Sequence, residues 1–480
     1  MTDVREFWVA GQLETAEETF EVRAPYDGSH LATVAVTSPE QTERAVAAAV
    51  AVGPALAGLP AHRRSAALAH VSRRIAERAD EFAQLISNEN GKPLKWALAE
   101  VGRATSTFQW AAEEARRWSG ALQRLDTDPN GEGRMAVVRR FPRGPVLGIS
   151  PFNFPLNLVA HKVAPALAVG APIVLKPAPK TPLSALLLGE LLAETDLPAG
   201  AWSVITVPDA RMPELVADPR LPVVSFTGSG PVGWRIRESV PTKHVTLELG
   251  GNGAVLVAAD WSSPEDLRYA AERIARFSNY QAGQSCVAVQ RVYADAGVHD
   301  ELLAEIVKAV EALRTGDPRD AATDVGPLID LASAERVEAW VDEAMAKGAV
   351  LRTGGQREGT TYAPTVLTGV PADATLAREE VFGPVLFVES VADLTEGLAR
   401  VNDSQYGLQA GVFTHDMTTA FRAHRELEVG GVIIGDVPTF RADQMPYGGA
   451  KASGVGREGL HAAMEDMTVE RVLVLSGLDL

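Results

Sequence analysis

Apolar residues recur at intervals of three and four over the first third of the chain, which is typical of amphipathic helices. After a short strand-rich start, this spacing predicts helices over 40–57, 62–90 and 94–118. The sequence Asn-Gly-Lys-Pro at 90–93 separates the helices predicted over 62–90 and 94–118. Glycine accepts the left-handed backbone that ends a helix, and a new helix begins after the proline. A turn cluster over 126–133 follows the third helix.

From residue 135 the pattern changes to short apolar runs that alternate with helical segments. Such alternation, with turn residues between the segments, is typical of a parallel sheet covered by helices. It repeats after Gly253, so we expect two α/β lobes with a boundary near Gly250-Gly251. The predicted strands are 144–150, 172–176, 223–226, 244–249, 254–259, 290–295, 385–390 and 410–415, and the predicted helices are 155–169, 181–194, 231–238, 264–281 and 299–313.

The composition excludes several classes of protein. Of 480 residues, 46 % are apolar and 22 % are charged, which is ordinary for a globular chain and excludes disordered, collagen-like and coiled-coil classes. The net charge of −17 repels phosphate backbones, so we expect no nucleic-acid partner. The first residues carry no apolar signal region, and the most apolar stretch, 45–59, is too short to span a bilayer. We therefore expect no membrane partner and a cytoplasmic location.

The chain holds one cysteine, Cys286, which excludes an intrachain disulfide and a thiolate metal cluster, and no metal site is expected. A single cysteine is either a structural thiol or a reactive one. It follows a Gly-Gln-Ser turn in NYQAGQSC, while Glu248 ends a predicted strand in LELGGNG. A carboxylate and a thiol that reach one cleft from two strand ends favour the pairing of a nucleophile with its base.

Residues 226–233, FTGSGPVG, satisfy the pattern G-x-G-x-x-G between a predicted strand and a predicted helix. Read literally, this fingerprint places a dinucleotide phosphate at the helix N-terminus and Glu248, about 20 residues on, at the adenosine ribose. An alternative is a strand–helix turn that needs glycine only for close packing. The pairing of Glu248 with Cys286 favours a third interpretation, in which Glu248 is a catalytic base.

Seven segments, in order along most of the chain, resemble those of the NAD(P)-dependent aldehyde dehydrogenase superfamily. Each segment is weak by itself, but the chance occurrence of all seven in order is negligible. Within the superfamily, the chain resembles the branch that contains the dehydrogenases of lactaldehyde and phosphonoacetaldehyde and the non-phosphorylating dehydrogenases of glyceraldehyde 3-phosphate. The segments are PFNFP (151–155), VLKPA (174–178), FTGS (226–229), LELGG (247–251), AGQSC (282–286), EEVFGPV (379–385) and PYGGAKASGVGREG (446–459).

The resemblance implies that Cys286 attacks the aldehyde carbon, that a hydride then leaves for the nicotinamide, and that water releases the acid from the resulting thioester. Glu248 would be the general base for that water. Asn153 and the backbone N–H of Cys286 would donate to the oxyanion, although a local helix N-cap is an alternative for Asn153. The residues implied to hold the cofactor, NAD or NADP, are Phe152, Lys176, Gly228, Ser229, Gly233, Leu249, Glu380 and Phe382; core packing is an alternative for Phe382.

The resemblance also implies that Arg103, His161, Ser285 and Arg441 line the substrate funnel. Relatives that act on phosphorylated or phosphonylated aldehydes carry arginine at three of these positions, and this chain keeps two, Arg103 and Arg441. Because guanidinium groups bind oxyanions, we expect a short hydroxylated or anionic aldehyde. The alternative is that both arginines form structural salt bridges. Pro179, where many NAD-preferring relatives carry glutamate, leaves the choice between NAD and NADP open.

The family fold implies an α/β protein with two Rossmann-like lobes and a small β flap for oligomerisation. The implied parts are a cofactor-binding domain (1–119 and 143–250), a catalytic domain (251–450) and the flap (120–142 and 451–480). The apolar run 471–476 has no sequential partner strand, so we expect a homodimer or homotetramer. Two other functions stay open: a non-catalytic nucleotide-binding relative, and a thiol esterase that uses Cys286 without a cofactor.

Overall fold

The computed structural model describes residues 4–477 and 479 of the chain, so residues 1–3, 478 and 480 of the predicted domain ranges lie outside the described residues. Helices and strands follow one another along the whole described part. The helices are α1 (Pro39–Gly58), α2 (Ala61–Glu77), α3 (Ala79–Asn90), α4 (Leu94–Arg117), α5 (Asn157–Val169), α6 (Leu183–Ala193), α7 (Met212–Ala217), α8 (Gly230–Ser239), α9 (Pro264–Asn279), α10 (His299–Glu311), α11 (Leu331–Ala346), α12 (Thr375–Arg378), α13 (Leu394–Asn402), α14 (Met417–Glu426) and α15 (Leu460–Asp466).

Most of the strands belong to two large sheets, and the others are short. In chain order they are β1 (Val4–Arg5), β2 (Phe7–Val9), β3 (Gln12–Glu14), β4 (Thr19–Arg23), β5 (His30–Ala35), β6 (Ala121–Arg124), β7 (Arg134–Pro142), β8 (Val146–Ile149), β9 (Ile173–Lys176), β10 (Trp202–Val204), β11 (Val223–Thr227), β12 (His244–Glu248), β13 (Gly253–Val257), β14 (Val289–Asp295), β15 (Val350–Thr353), β16 (Arg357–Glu358), β17 (Thr361–Tyr362), β18 (Thr365–Thr368), β19 (Val385–Val391), β20 (Tyr406–Gly407), β21 (Gln409–Phe413), β22 (Gly431–Ile434), β23 (Ala450–Lys451), β24 (Gly454–Val455) and β25 (Thr468–Ser476).

The first large sheet has eight strands in the order β24-β12-β11-β8-β9-β10-β2-β3. Its middle five strands are parallel, and an antiparallel strand pairs on each side of them. These strands are buried on both faces, so they read as continuous apolar runs rather than alternating ones. The second large sheet has seven strands in the order β15-β18-β19-β14-β13-β21-β22, all parallel except for its edge strand β15. Two helix-covered parallel sheets confirm the predicted α/β class.

A separate three-stranded sheet, in the order β25-β7-β6, forms the flap. The strand Thr468–Ser476 pairs over its whole length with Arg134–Pro142, so the predicted strand 471–476 begins three residues earlier. Before that strand, Gly454–Val455 pairs with the edge of the first large sheet, and Leu460 and Met464 join the core of that lobe. The C-terminal segment therefore contributes to the first lobe before it reaches the flap.

The long helix predicted over 62–90 is two helices. Arg78, with φ −105° and ψ 25°, leaves helical geometry between α2 and α3. The apolar spacing continues across this residue, which is why the pattern alone does not reveal the break. The predicted stop is confirmed, since Gly91 has φ 78° and a side chain there would meet the Pro327 ring at 2.6 Å.

Within the described residues, no single helix combines the length and the apolar character needed to cross a membrane, but the pair Pro39–Gly58 and Ala61–Glu77, bent by 114°, meets these two criteria together.

Candidate active site

The predicted site residues come from two facing sheet edges. Lys176 and Glu248 are the last residues of their strands in the first sheet, and Asn153 follows another of these strands by four residues. Cys286 instead precedes a strand of the second sheet, which begins at Val289. The carboxyl edge of one parallel sheet, where α/β proteins bind their ligands, therefore meets the amino edge of the other.

A strained turn presents the cysteine. Gln281, Ala282 and Gly283 all have left-handed backbone, with φ of 53°, 54° and 71°. A side chain at Gly283 would lie 1.9 Å from the carbonyl oxygen of Gly383, so only glycine fits there. Non-glycine residues in this conformation cost about 1–3 kcal/mol each and cluster at functional sites. The turn fixes the direction in which Cys286 enters the cleft.

Asn153 is anchored to this same turn. Its Nδ2 donates to the carbonyl of Gln284 at 2.9 Å, and its own carbonyl accepts from Nε2 of Gln281. The helix that follows begins four residues later, and its first N–H groups bind the buried carboxylate of Glu100. The N-cap interpretation of Asn153 is therefore wrong. The amide lies beside the nucleophile loop, where an oxyanion donor would be needed.

Glu248 is a buried carboxyl group with no hydrogen-bond partner for either oxygen among the described residues. Burial, together with the negative charge of Glu458, raises the pKa of Glu248 well above its ordinary value. Although burial opposes it, the positive charges of Lys162 and Arg441 hold the pKa of Glu458 at about 2. Two nearby carboxyl groups with pKa values pushed apart can take different roles, and Glu248, with the raised pKa, is the better proton acceptor of the two.

Cys286 is partly buried, and its Sγ lies 3.1 Å from the hydroxyl oxygen of Tyr447. Desolvation raises the pKa of the Cys286 thiol to about 12, although the Tyr447 hydrogen bond acts in the opposite direction. The resting side chain is therefore a neutral thiol, and it needs a base to become a nucleophile. The negative charge of Glu248 acts in the same direction as desolvation and raises the pKa of the thiol further.

The predicted substrate residues form one polar network. Arg103 and His161 share a single carboxylate oxygen, Oδ1 of Asp443, at 3.0 Å and 3.3 Å. Burial, with the positive charge of Arg441, lowers the pKa of His161 to about 4, so its imidazole is neutral. Ser285 is also buried, and its hydroxyl has no partner within the described part of the chain.

Arg441 joins this network to the nucleophile. Its Nη2 lies 3.1 Å from Oε2 of Glu458, and its guanidinium carbon lies 3.8 Å from the ring centre of Tyr447. Nε of Arg441 is buried without a hydrogen-bond partner among the described residues. Arg103 and Arg441 thus both form salt bridges, as expected if their role is structural. Arg441 still has one N–H donor, Nε, without a partner among the described residues.

Several predicted cofactor residues fit a dinucleotide by their own geometry. Glu380 accepts from the backbone N–H of Gly251 at 2.9 Å through Oε1, and a side chain at Gly250 would meet its Oε2 at 2.0 Å. Glycine thus leaves room for a carboxylate that can accept from ribose hydroxyls. Phe382 is partly exposed, has φ 45°, and meets Phe152 edge-on with ring centres 5.9 Å apart. These two rings, rather than a closed core, bound an apolar face suited to a nicotinamide.

At the carboxyl edge of the first large sheet, the buried Lys176 forms an ion pair with Asp209, whose side chain is 77 % exposed. Ser229 is exposed and precedes a ten-residue helix without capping it through its side chain. The first N–H groups of that helix are thus available to a phosphate. A side chain at Gly230 would meet nothing within 4 Å, so this end of the helix is open.

Gly228 and Gly233 are needed for packing. A side chain at Gly228 would meet the Phe226 ring at 2.6 Å, and one at Gly233 would meet Leu249 at 2.4 Å. The structure thus supports the close-packing interpretation of both glycines. Leu249 is buried against Gly233 and so supports the helix that carries the open N-terminus.

Four further residues belong to this network without any role predicted from the sequence: Lys162, Asp443, Tyr447 and Glu458. Tyr447 and Glu458 lie inside a recognised segment, but nothing in the local pattern gives them a role. Lys162 Nζ reaches Glu458 at 3.3 Å across 296 residues of sequence, and only the folded chain reveals that pairing.

Comparisons with known proteins agree with this geometry. The sequence profile described as Aldehyde dehydrogenase family matches residues 9–473. The 3-sulfolactaldehyde dehydrogenase of Priestia aryabhattai is 41 % identical over 480 residues, 99 % of each chain. The crystal structure of aldehyde dehydrogenase 21 from Physcomitrella patens with the reaction product succinate has a TM-score of 0.97 and 42 % identity, covering 100 % of this chain and 99 % of that one. The NADP-dependent glyceraldehyde-3-phosphate dehydrogenase of Bacillus halodurans, solved with NADP, has a TM-score of 0.95 and 35 % identity over 99 % of both chains.

The chain belongs to the aldehyde dehydrogenase family, and the predicted resemblance is confirmed. It is an NAD(P)-dependent aldehyde dehydrogenase, an oxidoreductase whose partners are a small-molecule aldehyde and the dinucleotide. The predicted fold, two Rossmann-like lobes with a β flap, is that of the solved relatives.

Proposed function

We propose that this enzyme oxidises a short anionic aldehyde, with a carboxylate or sulfonate group, through a covalent intermediate on Cys286. The observation that carries the proposal is the buried guanidinium of Arg441, which stacks on Tyr447 beside the thiol and keeps Nε without a partner among the described residues. A desolvated guanidinium with a free N–H recognises an oxyanion. The anion would enter between this group and Arg103.

The relatives support the anionic class. Their names and structures refer to 3-sulfolactaldehyde, to succinate as a reaction product, and to glyceraldehyde 3-phosphate. All three compounds carry an oxyanion a few bonds from the reacting carbon. Ser285 supplies no positive charge at the third implied anion position, which favours a singly charged carboxylate or sulfonate over a doubly charged phosphate.

In the first half of the proposed reaction, the Cys286 thiol transfers its proton to Glu248, and the sulfur forms a bond to the aldehyde carbon. The carbonyl π pair moves to oxygen, and Asn153 Nδ2 donates to the resulting oxyanion. Removing one such donor costs about 10²–10³ in rate in other enzymes. A nicotinamide held against Phe152 and Phe382 would supply the acceptor for the hydride that leaves this carbon, and the loss of that hydride oxidises the bound aldehyde to a thioester.

In the second half, Glu248 first releases the thiol proton to solvent, and the free carboxylate then takes a proton from a water molecule that attacks the thioester carbon. The C–S bond breaks, the sulfur leaves with the electron pair and is reprotonated, and the carboxylic acid departs. A buried carboxyl group with a raised pKa is a stronger base than an exposed one, which suits this work. Overall, one aldehyde, one oxidised cofactor and one water are converted into one acid, one reduced cofactor and one proton.

The test compares succinate semialdehyde with butanal, a neutral aldehyde of the same chain length, while reduced cofactor is followed by absorbance. We expect the kcat/KM for the anionic compound to exceed that for butanal at least tenfold, and Cys286→Ser to abolish oxidation of both. Equal values for the two aldehydes would overturn the substrate class. Oxidation retained by Cys286→Ser would overturn the nucleophile, and ester hydrolysis without any cofactor reduction would favour the thiol esterase.

We also propose that copies of this chain assemble through the strand Thr468–Ser476. Four consecutive apolar side chains there, Val472 to Leu475, are 38–61 % exposed. Among the described residues the strand pairs only with Arg134–Pro142, so one of its two edges is open. An apolar edge strand of nine residues is a template for another strand, which supports a dimer or a tetramer.

A further inference from the structure

Tyr447 has no part in the steps above, yet its hydroxyl oxygen lies 3.1 Å from Sγ of Cys286. The residue is buried, with 4 % of its surface exposed, and its ring packs with Val287 and Leu408 next to the cysteine. A buried tyrosine hydroxyl usually finds a hydrogen-bond partner. Here that partner is the sulfur of the proposed nucleophile.

The position of this ring is fixed through the backbone. The N–H of Tyr447 donates to the carbonyl of Glu458 at 2.9 Å, and the N–H of Glu458 donates back to the carbonyl of Tyr447 at 2.7 Å. Glu458 is itself held by ion pairs with Lys162 and Arg441. The backbone at Tyr447 is therefore held in place, and with the ring packed against Val287 and Leu408 the hydroxyl is presented to the sulfur.

The direction of the hydrogen bond follows from the chemistry of the two groups. A phenol O–H is a good donor, whereas a thiolate has no proton and can only accept. The guanidinium of Arg441 lies over the π face of the ring, 3.8 Å from its centre, in the arrangement of a cation–π contact. A positive charge there draws electron density from the ring and strengthens the O–H as a donor.

We propose that Tyr447 is a positioning residue for the nucleophile, whose hydroxyl donates to the Cys286 sulfur and holds the thiolate in place for attack on the aldehyde carbon. This rests on the proposed role of Cys286. The thiol proton goes to Glu248 as before, and the tyrosine O–H bond stays intact throughout. Once the sulfur is bonded to carbon it is only a weak acceptor, so the hydrogen bond stabilises the thiolate more than the covalent intermediate.

The test uses Tyr447→Phe, which keeps the ring and its contact with Arg441 and removes only the hydroxyl. Iodoacetamide reacts with the thiolate, and because the chain has one cysteine, the alkylation rate reports on Cys286 alone. We expect the pH profile of alkylation to shift upward by about one unit, with an about tenfold lower rate at neutral pH. A profile equal to that of the wild type would overturn the proposal.

Tyr293→Phe is the matched control, because it removes a hydroxyl from a buried tyrosine in the core of the second lobe. It should leave the alkylation profile unchanged. A second measurement does not require the variant to fold. Incorporation of 3-fluorotyrosine makes every phenol O–H a stronger donor, and the alkylation rate of Cys286 reports only on the tyrosine that contacts this residue. The profile should then move to lower pH, and an unmoved profile would count against the hydrogen bond.

Failure of this proposal is distinguishable from failure of the proposed function. Suppose that Cys286→Ser abolishes aldehyde oxidation while Tyr447→Phe is alkylated at the wild-type rate. The cysteine is then the nucleophile, and the tyrosine contributes only packing. If Cys286→Ser still oxidises aldehydes, the proposed function fails whatever the alkylation rates are. A fall in kcat for Tyr447→Phe with unchanged affinity for the cofactor would separate positioning from general damage to the site.

Discussion

The guanidinium of Arg441 and the carboxylate of Glu458 form an ion pair 3.1 Å long whose side chains are only 6 % and 2 % exposed. A buried charge is tolerated when it is paired and hydrogen-bonded. Glu458 is also paired with Lys162, so two cations face one carboxylate. The guanidinium of Arg441 lies against Tyr447, whose hydroxyl contacts Cys286, and its positive charge would attract a substrate anion against the overall charge of −17.

Replacement of Arg441 by glutamine should therefore change substrate preference more than stability. Glu458 keeps Lys162 as a partner, while the substrate anion loses a charge-assisted hydrogen bond, which is worth about 10–100-fold in binding. We expect kcat/KM for succinate semialdehyde to fall by that factor and kcat/KM for butanal to change little. Arg378→Gln is the control, since Arg378 is exposed and donates to the carbonyl of Ala372. An equal loss for both aldehydes would contradict the assignment.

Glu248 should govern the pH dependence of turnover. Because the pKa of Glu248 is raised by burial, the group is protonated at low pH, and kcat should rise as pH increases through that raised pKa. Glu248→Gln should remove this rise and lower kcat by about 10²–10⁴. Because both halves of the proposed reaction use Glu248, little acyl group should accumulate on Cys286, and mass spectrometry of a quenched reaction measures this. The exposed Glu238 provides the control, Glu238→Gln, and an unchanged pH rise in the Glu248 variant would refute the base.

Cofactor binding should strengthen with pH through Glu380. Burial raises the pKa of Glu380 to about 8, and only its ionised form accepts from two ribose hydroxyls. Calorimetric titration with reduced cofactor, without aldehyde, should give a Kd that decreases as pH passes about 8. In Glu380→Gln the Kd should be about tenfold weaker and independent of pH. The neighbouring Glu379→Gln should behave like the wild type, and a pH-dependent Kd in Glu380→Gln would show that another group is responsible.

The fully buried pair of Lys92 and Glu100 should dominate local stability. Lys92→Met leaves Glu100 as an unpaired buried charge, which costs about 3–5 kcal/mol, so the melting temperature should drop. The double variant Lys92→Met/Glu100→Gln removes that charge and should recover part of the loss. Both side chains are 0 % exposed, so solvent cannot rescue the single variant. A double variant less stable than Lys92→Met would contradict this account.

The exposed apolar strand should control assembly. Val472 is 61 % exposed on the strand Thr468–Ser476, and Val472→Asp places a charge where a partner copy would bury it. Sedimentation velocity should show a smaller species than the wild type forms. Val350→Asp is the control, because Val350 is 51 % exposed on the edge of the other sheet. Unchanged sedimentation of Val472→Asp would argue against assembly through this strand.

The sequence predicts the helices and strands well wherever one periodicity lasts for a whole element, as in Leu94–Arg117. It also predicts Asn153, Glu248 and Cys286 as site residues, because each stands in a short segment with its own pattern. It does not predict the network around them. Asp443 binds Arg103 across 340 residues, and neither neighbourhood differs locally from an ordinary turn or helix. Such contacts depend on how the two lobes meet.

The edge strand Gly454–Val455 carries a consequence for synthesis on the ribosome. It covers Glu248 and Leu247 at the edge of the first sheet, yet it is translated long after them. At about 5–20 residues per second, the edge that carries the proposed base waits roughly 10–40 s for its covering strand. The first lobe is thus begun first and completed last, and a nascent chain halted before Gly454 leaves an open sheet edge at the future active site.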